Sequence, residues 1–216
     1  RRRLRFRPRL YLRRASDSLA TAGAEILFYV QSELDKVAVL AIGGAELAGI
    51  YAIVMRLADL TAVPIRSFNM LLVQKLMRTP HTLGSVKLRV AVEALIFTVS
   101  LMGLAFFAIV LWIYPNALGK NVAIISALLV FAWAVPGFRN IVEYHAELLY
   151  ARGQTGIRML NLGLLAAMKM LLLAFVLAAG PETKTWLVQM NAAFAILWAS
   201  SALLTYGAMR TPPKKS

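Results

Sequence analysis

Apolar positions fall into six long runs, 15–40, 46–77, 88–113, 121–151, 157–179 and 185–208, separated by short polar or Gly/Pro-containing breaks. A helix needs about 20 predominantly apolar residues to cross a hydrocarbon layer ~30 Å thick, and each run is long enough. The third, fifth and sixth are nearly uninterrupted; the third stops at Pro115-Asn116 and the fifth at Gly180-Pro181. Such pairs end helices because proline cannot continue the hydrogen-bond ladder. No alternating polar and apolar segment bounded by hairpin turns suggests a strand. The pattern therefore predicts an all-α, polytopic membrane bundle of six transmembrane helices over 15–208. A basic lead-in or linker (1–14) precedes it and a short cytoplasmic tail (209–216) follows.

Composition agrees. The chain has 216 residues, 60% hydrophobic and only 16% charged, whereas soluble domains carry about 25% charged residues. It has 24 Lys+Arg against 10 Asp+Glu, a formal net charge of +14. Seventeen of those 24 cations precede the first run, follow the last, or surround the second and fourth connections, Arg152 and Arg158 among them. If the helices alternate, all seventeen share one side, and the other connections hold only Lys120 and Lys184. This positive-inside bias places both termini in the cytoplasm, with the bundle in the cytoplasmic (inner) membrane. It also accounts for the net charge without nucleic acid, for which the aromatic-interleaved basic surface is lacking. The opening, RRRLRFRPRLYLRR, is too charged for a cleaved signal peptide. It reads either as an anchor to anionic lipid or as a linker from a preceding membrane segment.

Ionisable residues inside the runs are the informative exception. Each costs about 2.5–3.5 kcal/mol in the bilayer centre, so those that persist usually face a bundle interior or a wet cavity. On the first helix Ser18, Thr21, Glu25, Tyr29, Ser32 and Lys36 recur at helical spacing and form one stripe. On the second, Arg56, Asp59 and Arg66 share a face; on the fourth, Arg139, Glu143 and Glu147 follow one another at i, i+4. Two dispositions fit this spacing. Arg56 with Asp59, and Arg139 with Glu143, could neutralise one another on their own helices, or the stripes could face a common interior. Lys169 has no acidic neighbour at helical spacing in its own run; it either snorkels or reaches a cavity. Pro64 and Pro136-Gly137 interrupt helical runs beside these stripes, as broken helices do at transporter sites.

Catalytic constellations are lacking. There is no cysteine, and of the two histidines His81 falls in a predicted loop. His145 lies two residues from both Glu143 and Glu147, about 200° round a helix, so these groups cannot converge on a metal. No HExxH or Gly-rich phosphate loop occurs, and neither an enzyme nor a cofactor is expected.

One segment has a family likeness. Over 34–57 the chain carries Asp35-Lys36, a Gly43-Gly44 turn, Gly49-Ile50-Tyr51, and Arg56-Leu57. It resembles the polysaccharide-biosynthesis flippases of the MOP superfamily, in which an Asp-basic pair ends one helix and a Gly-x-Tyr-x-x-x-x-Arg-Leu-like string opens the next. Helix count and cytoplasmic termini extend the agreement at the level of topology. Because such flippases have about twelve to fourteen helices in two lobes, the resemblance implies one lobe of a MATE-like transporter. It would be the C-terminal lobe, with an N-terminal lobe as partner. The implied activity is translocation of an isoprenoid-diphosphate-linked oligosaccharide for cell-surface polysaccharide, such as lipopolysaccharide, through a cationic cavity. Coupling to H⁺ or Na⁺ would drive it. Helical spacing nominates Arg56, Arg66, Arg139 and Lys169 for the diphosphate, with forked donors suited to phosphate oxygens. Glu25, Asp59 and Glu143 would balance charge or couple the ion. The rival readings are a cation-coupled multidrug antiporter, which would favour carboxylates in the cavity, and a non-transporting scaffold of a glycan-assembly complex.

Overall fold

The computed structural model describes residues 8–78, 85–116, 127–178 and 183–210. Among them every element is helical: α1 (Pro8–Arg78), α2 (Val86–Ile113), a 3₁₀ turn (Leu129–Ala132), α3 (Val135–Ala151), α4 (Thr155–Ala178) and α5 (Thr183–Ala208). Thr21–Lys75 within α1, together with α2, α4 and α5, are long and apolar enough to cross a membrane.

The first two expected helices run together as α1, interrupted at Gly44 (φ 78°, ψ 179°). That backbone region is essentially open only to glycine. A straight helix of this length would span over ~100 Å, but the chain reverses at Gly44. Tyr51 donates its hydroxyl to Asp35, sixteen residues earlier, which would lie about 24 Å away along a continuous helix. α1 is thus two antiparallel arms, 8–43 and 45–78. Pro64 causes no comparable break, since Gly44 alone has non-helical torsions within α1.

The fourth expected helix departs from its prediction. Residues 121–126 lie outside the described residues, and the helical run that the spacing places over 121–151 is broken after the 3₁₀ turn. Pro136 is not mid-helix; it occupies the first turn of α3, where its missing N–H costs nothing. The break is satisfied by one side chain of α5. Asn191 accepts from the Ala134 amide at 2.9 Å and donates to the Phe131 carbonyl at 2.5 Å. A Cβ on Gly137 would lie 2.4 Å from the Phe97 ring, so α2 and α3 approach closely there.

α3 ends in a Schellman turn, with Gln154 donating to the Leu149 carbonyl and Gly153 to that of Tyr150. Gly153 takes the left-handed torsion (φ 68°) that this cap requires. α4 begins two residues later, so the ends of α3 and α4 are held side by side.

The arms of α1 pack with α4 and α5 around Tyr51, Met55, Leu165, Leu173, Trp186 and Met190, all buried. Outward faces are just as apolar. On α2 the buried row Val92, Ile96, Ser100, Leu104 and Leu111 is opposed by exposed Met102, Phe106, Ile109 and Trp112, the last 82% exposed. A helix that is apolar on both faces, with one of them uncovered, suits lipid. In lipid, helices associate through close packing and polar contacts more than through the hydrophobic effect. The polar contacts inside this bundle therefore bear on both stability and function.

Candidate functional site

Between the two arms of α1, α3 and the start of α4 lies a cavity of about 480 Å³. The first arm contributes Glu25, Tyr29, Glu33, Asp35 and Lys36; the second contributes Asp59 and Arg66. α3 supplies Arg139, Glu143 and Glu147, and α4 supplies Arg158. The three polar stripes anticipated from spacing therefore meet. Five of the seven nominated side chains line the same space: Glu25, Asp59, Arg66, Arg139 and Glu143. Thr21 and Ser18 of the first stripe are not among the lining residues, and the side chain of Ser32 lies outside the described residues.

Most of the charges pair between elements, and two pairs each lie along a single arm of α1. Arg66 Nε donates to Glu143 Oε1 at 2.7 Å, and its Nη2 also reaches Asp59 at 3.5 Å. Arg139 Nη2 donates to Asp59 Oδ1 at 2.7 Å. Arg158 bridges two elements, holding Glu25 at 2.7 Å and Glu147 at 3.2 Å. Within the first arm, Lys36 holds Glu33 at 2.8 Å. Each pair closes a gap between two elements, or within one arm, and thereby sets the cavity wall.

Two nominated residues lie elsewhere. Arg56 is exposed and does not line the cavity. Three residues of helix turn about 300°, so Arg56 stands about 60° round from Asp59, and that offset carries its side chain off the wall. Lys169 neither snorkels nor faces this cavity. It is buried against Asp35, to which it donates, and Asp35 also accepts from Tyr51 and from the Lys36 amide at 2.8 Å. Lys169 instead lines a narrow cleft of about 50 Å³ with Phe28, Arg139, Glu143 and Phe194.

The expected cationic character is corrected by the lining itself. Six carboxylates (Glu25, Glu33, Asp35, Asp59, Glu143, Glu147) face four cations (Lys36, Arg66, Arg139, Arg158) among the described residues. The large net positive charge of the chain is not reflected in this lining. Arg158, which the charge ladder assigns to a cytoplasmic connection, is 3% exposed and ion-paired. Its proximity to a turn disguised it. Glu147 lies on the anticipated stripe of α3, while Glu33 and Asp35 sit close to the first-arm stripe; tertiary contacts identify them as lining residues.

Free hydrogen-bonding capacity remains in this paired array. Arg139 Nη1 and Arg158 Nε are buried and have no hydrogen-bond partner. A buried unsatisfied N–H costs about 1–3 kcal/mol, more on a charged group. Two guanidinium groups of the wall thus each keep one buried N–H without an acceptor.

The chain matches no protein-family model, and no curated protein or solved structure is significantly similar to it.

Proposed function

We propose that this chain is a six-helix lobe of a membrane transporter that flips an isoprenoid-diphosphate-linked oligosaccharide across the cytoplasmic membrane, with both termini cytoplasmic. The observation that carries the reading is the pair of cavity-lining guanidinium groups, Arg139 and Arg158, each retaining a buried N–H without an acceptor. The reversal at Gly44 supports counting α1 as two crossings, and the likeness over 34–57 supplies the substrate class.

The excess of carboxylates changes how a diphosphate would be received. An anion cannot simply enter a wall whose net formal charge is negative; it must exchange with the resident carboxylates. Diphosphate oxygens would take the forks of Arg158 and Arg139, displacing Glu25 or Glu147 and Asp59. The released carboxylates then need a counter-charge, and H⁺ or Na⁺ supplies it. Substrate binding and ion binding are thereby linked at the same pairs. The sugars occupy the cavity and the isoprenoid stays in lipid, while a second lobe, implied by the resemblance, provides the facing wall for alternating access.

The test is cell-surface polysaccharide display in cells lacking their own flippase, complemented with the intact protein. Arg139→Gln and Arg158→Gln should each abolish display while the protein still inserts. Normal display by both variants would overturn the assignment.

The six-to-four carboxylate excess favours a second reading, cation-coupled antiport of cationic amphiphiles. On that reading Asp59→Asn and Glu143→Gln abolish efflux of a cationic dye, and wild-type cells display no extra polysaccharide.

A further inference from the structure

Away from the cavity, α2, α3 and α5 enclose a second polar cluster that none of the stripes includes. Glu93 lies on α2 in an otherwise apolar run. Its carboxylate accepts from Trp198 Nε1 at 2.9 Å and from the Tyr206 hydroxyl, both on α5. It also faces His145 Nε2 of α3 at 3.1 Å. The imidazole is fully buried, and its other nitrogen, Nδ1, lies 3.0 Å from Ser201 Oγ.

We infer that Glu93 and His145 form a proton-binding site inside the membrane, separate from the cavity. An ionised carboxylate can only accept hydrogen bonds, so facing Glu93 makes Nε2 the protonated nitrogen. That leaves Nδ1 as the variable atom. In the neutral ring, the Nδ1 lone pair accepts the Ser201 O–H. When a proton arrives, that lone pair forms the new N–H bond, which donates to Ser201 Oγ, and the hydroxyl hydrogen rotates away. A serine hydroxyl serves as donor or acceptor by turning about its Cβ–Oγ bond. Both protonation states therefore fit the same heavy-atom positions.

Charge supplies the reason to bind. With neutral imidazole, Glu93 is a carboxylate held by the donors of Trp198 and Tyr206, with Arg89 one turn before it on α2; with imidazolium, the buried His145–Glu93 contact itself becomes an ion pair. Among the described residues, the other charged or titratable groups at the cluster are Arg89, which lies 4.8 Å over the Tyr206 ring, together with Tyr206 and Tyr144. The second arm of α1 contributes apolar Ile65, Phe68 and Leu72 to the same packing group. Intramembrane carboxylate–histidine arrays are the usual material of proton relays. Loading the site strengthens a tie among three helices, and coupling it to transport rests on the function proposed above; proton binding itself does not.

The experiment is ¹⁵N NMR of the histidine-labelled intact protein in lipid nanodiscs, with His145→Gln to assign the ring signals. Should that variant fail to insert, Ser201→Ala assigns them as the ring signals that it shifts. The His145 ring signals, followed from about pH 8 to 5, should move toward imidazolium positions on acidification. Glu93→Gln should lower proton affinity at His145 about tenfold or more, because the opposite charge is gone. A wild-type His145 that holds one protonation state across that range, or a titration unmoved by Glu93→Gln, overturns the site. A protein that moves no glycan would still titrate, and transport without titration would leave the function standing while removing the site.

Discussion

Tyr51 donates its hydroxyl to Asp35 at 2.5 Å across a reversal made at a single residue, Gly44. The bond staples the two arms of α1 immediately below their turn. Gly44→Ala would place a side chain at φ 78°, a strain of about 1–3 kcal/mol, although nothing lies within 4 Å of the new Cβ. Tyr51→Phe removes one of the donors to a buried carboxylate and should cost about 1–3 kcal/mol. Thermal unfolding in detergent should show both variants melting below wild type. A Gly44→Ala protein as stable as the parent would refute the strained reversal.

Lys169 and Asp35 form the most deeply buried ion pair among the described residues, with side chains 7% and 2% exposed. Removing one partner leaves an uncompensated charge, worth about 3–5 kcal/mol, whereas removing both restores neutrality. Lys169→Met should therefore destabilise more than Asp35→Asn/Lys169→Met together. A double-mutant cycle measures this, and additive losses would show that the pair is not coupled.

Arg139 and Arg56 should behave oppositely, although both belong to stripes of ionisable residues. Arg139 lines the cavity with its fork part-filled by Asp59, while Arg56 is exposed beyond it. Arg56→Gln should leave polysaccharide display within about twofold of wild type, as substitutions away from packed or paired features do. Arg139→Gln should abolish it. Equal loss in both variants would mean that the cavity is not what selects the substrate.

Gly137 and Phe97 set the approach of α3 to α2. The Phe97 ring is hemmed by Phe138 at 5.1 Å and Trp133 at 6.2 Å between centroids, so it has little room to yield. Gly137→Ala should cost about 1–3 kcal/mol by overpacking. Adding Phe97→Leu should recover most of the loss in the same melting assay. No recovery would place the strain elsewhere.

The helices were readable because lipid and core both select apolar residues, and an apolar run of about 20 residues is rare outside a membrane crossing. The reversal at Gly43-Gly44 was visible in its glycines, and the stripes were visible because the turn of about 100° per residue is a local property. Partner choice was not local. Asp59 has Arg56 within one turn yet bonds Arg139, eighty residues on. Glu93 was invisible for the same reason. It is a single carboxylate in a clean apolar run, and its partners lie 52, 105 and 113 residues away on two other helices. Arg158 misled because nearness to a turn suggested solvent, whereas the Schellman cap at Gly153 folds it back against Glu147. The sign of the cavity followed from these placements, and composition pointed the other way.

Asn191 has a mechanical consequence. By bonding both the Ala134 amide and the Phe131 carbonyl, it bolts α5 to the interruption ahead of α3. Sliding of one past the other would strip two main-chain groups of their partners at once. Among the described residues, articulation is left to the two single-residue joints away from that bolt, Gly44 and Gly153, where positive φ already frees the chain from helical continuity.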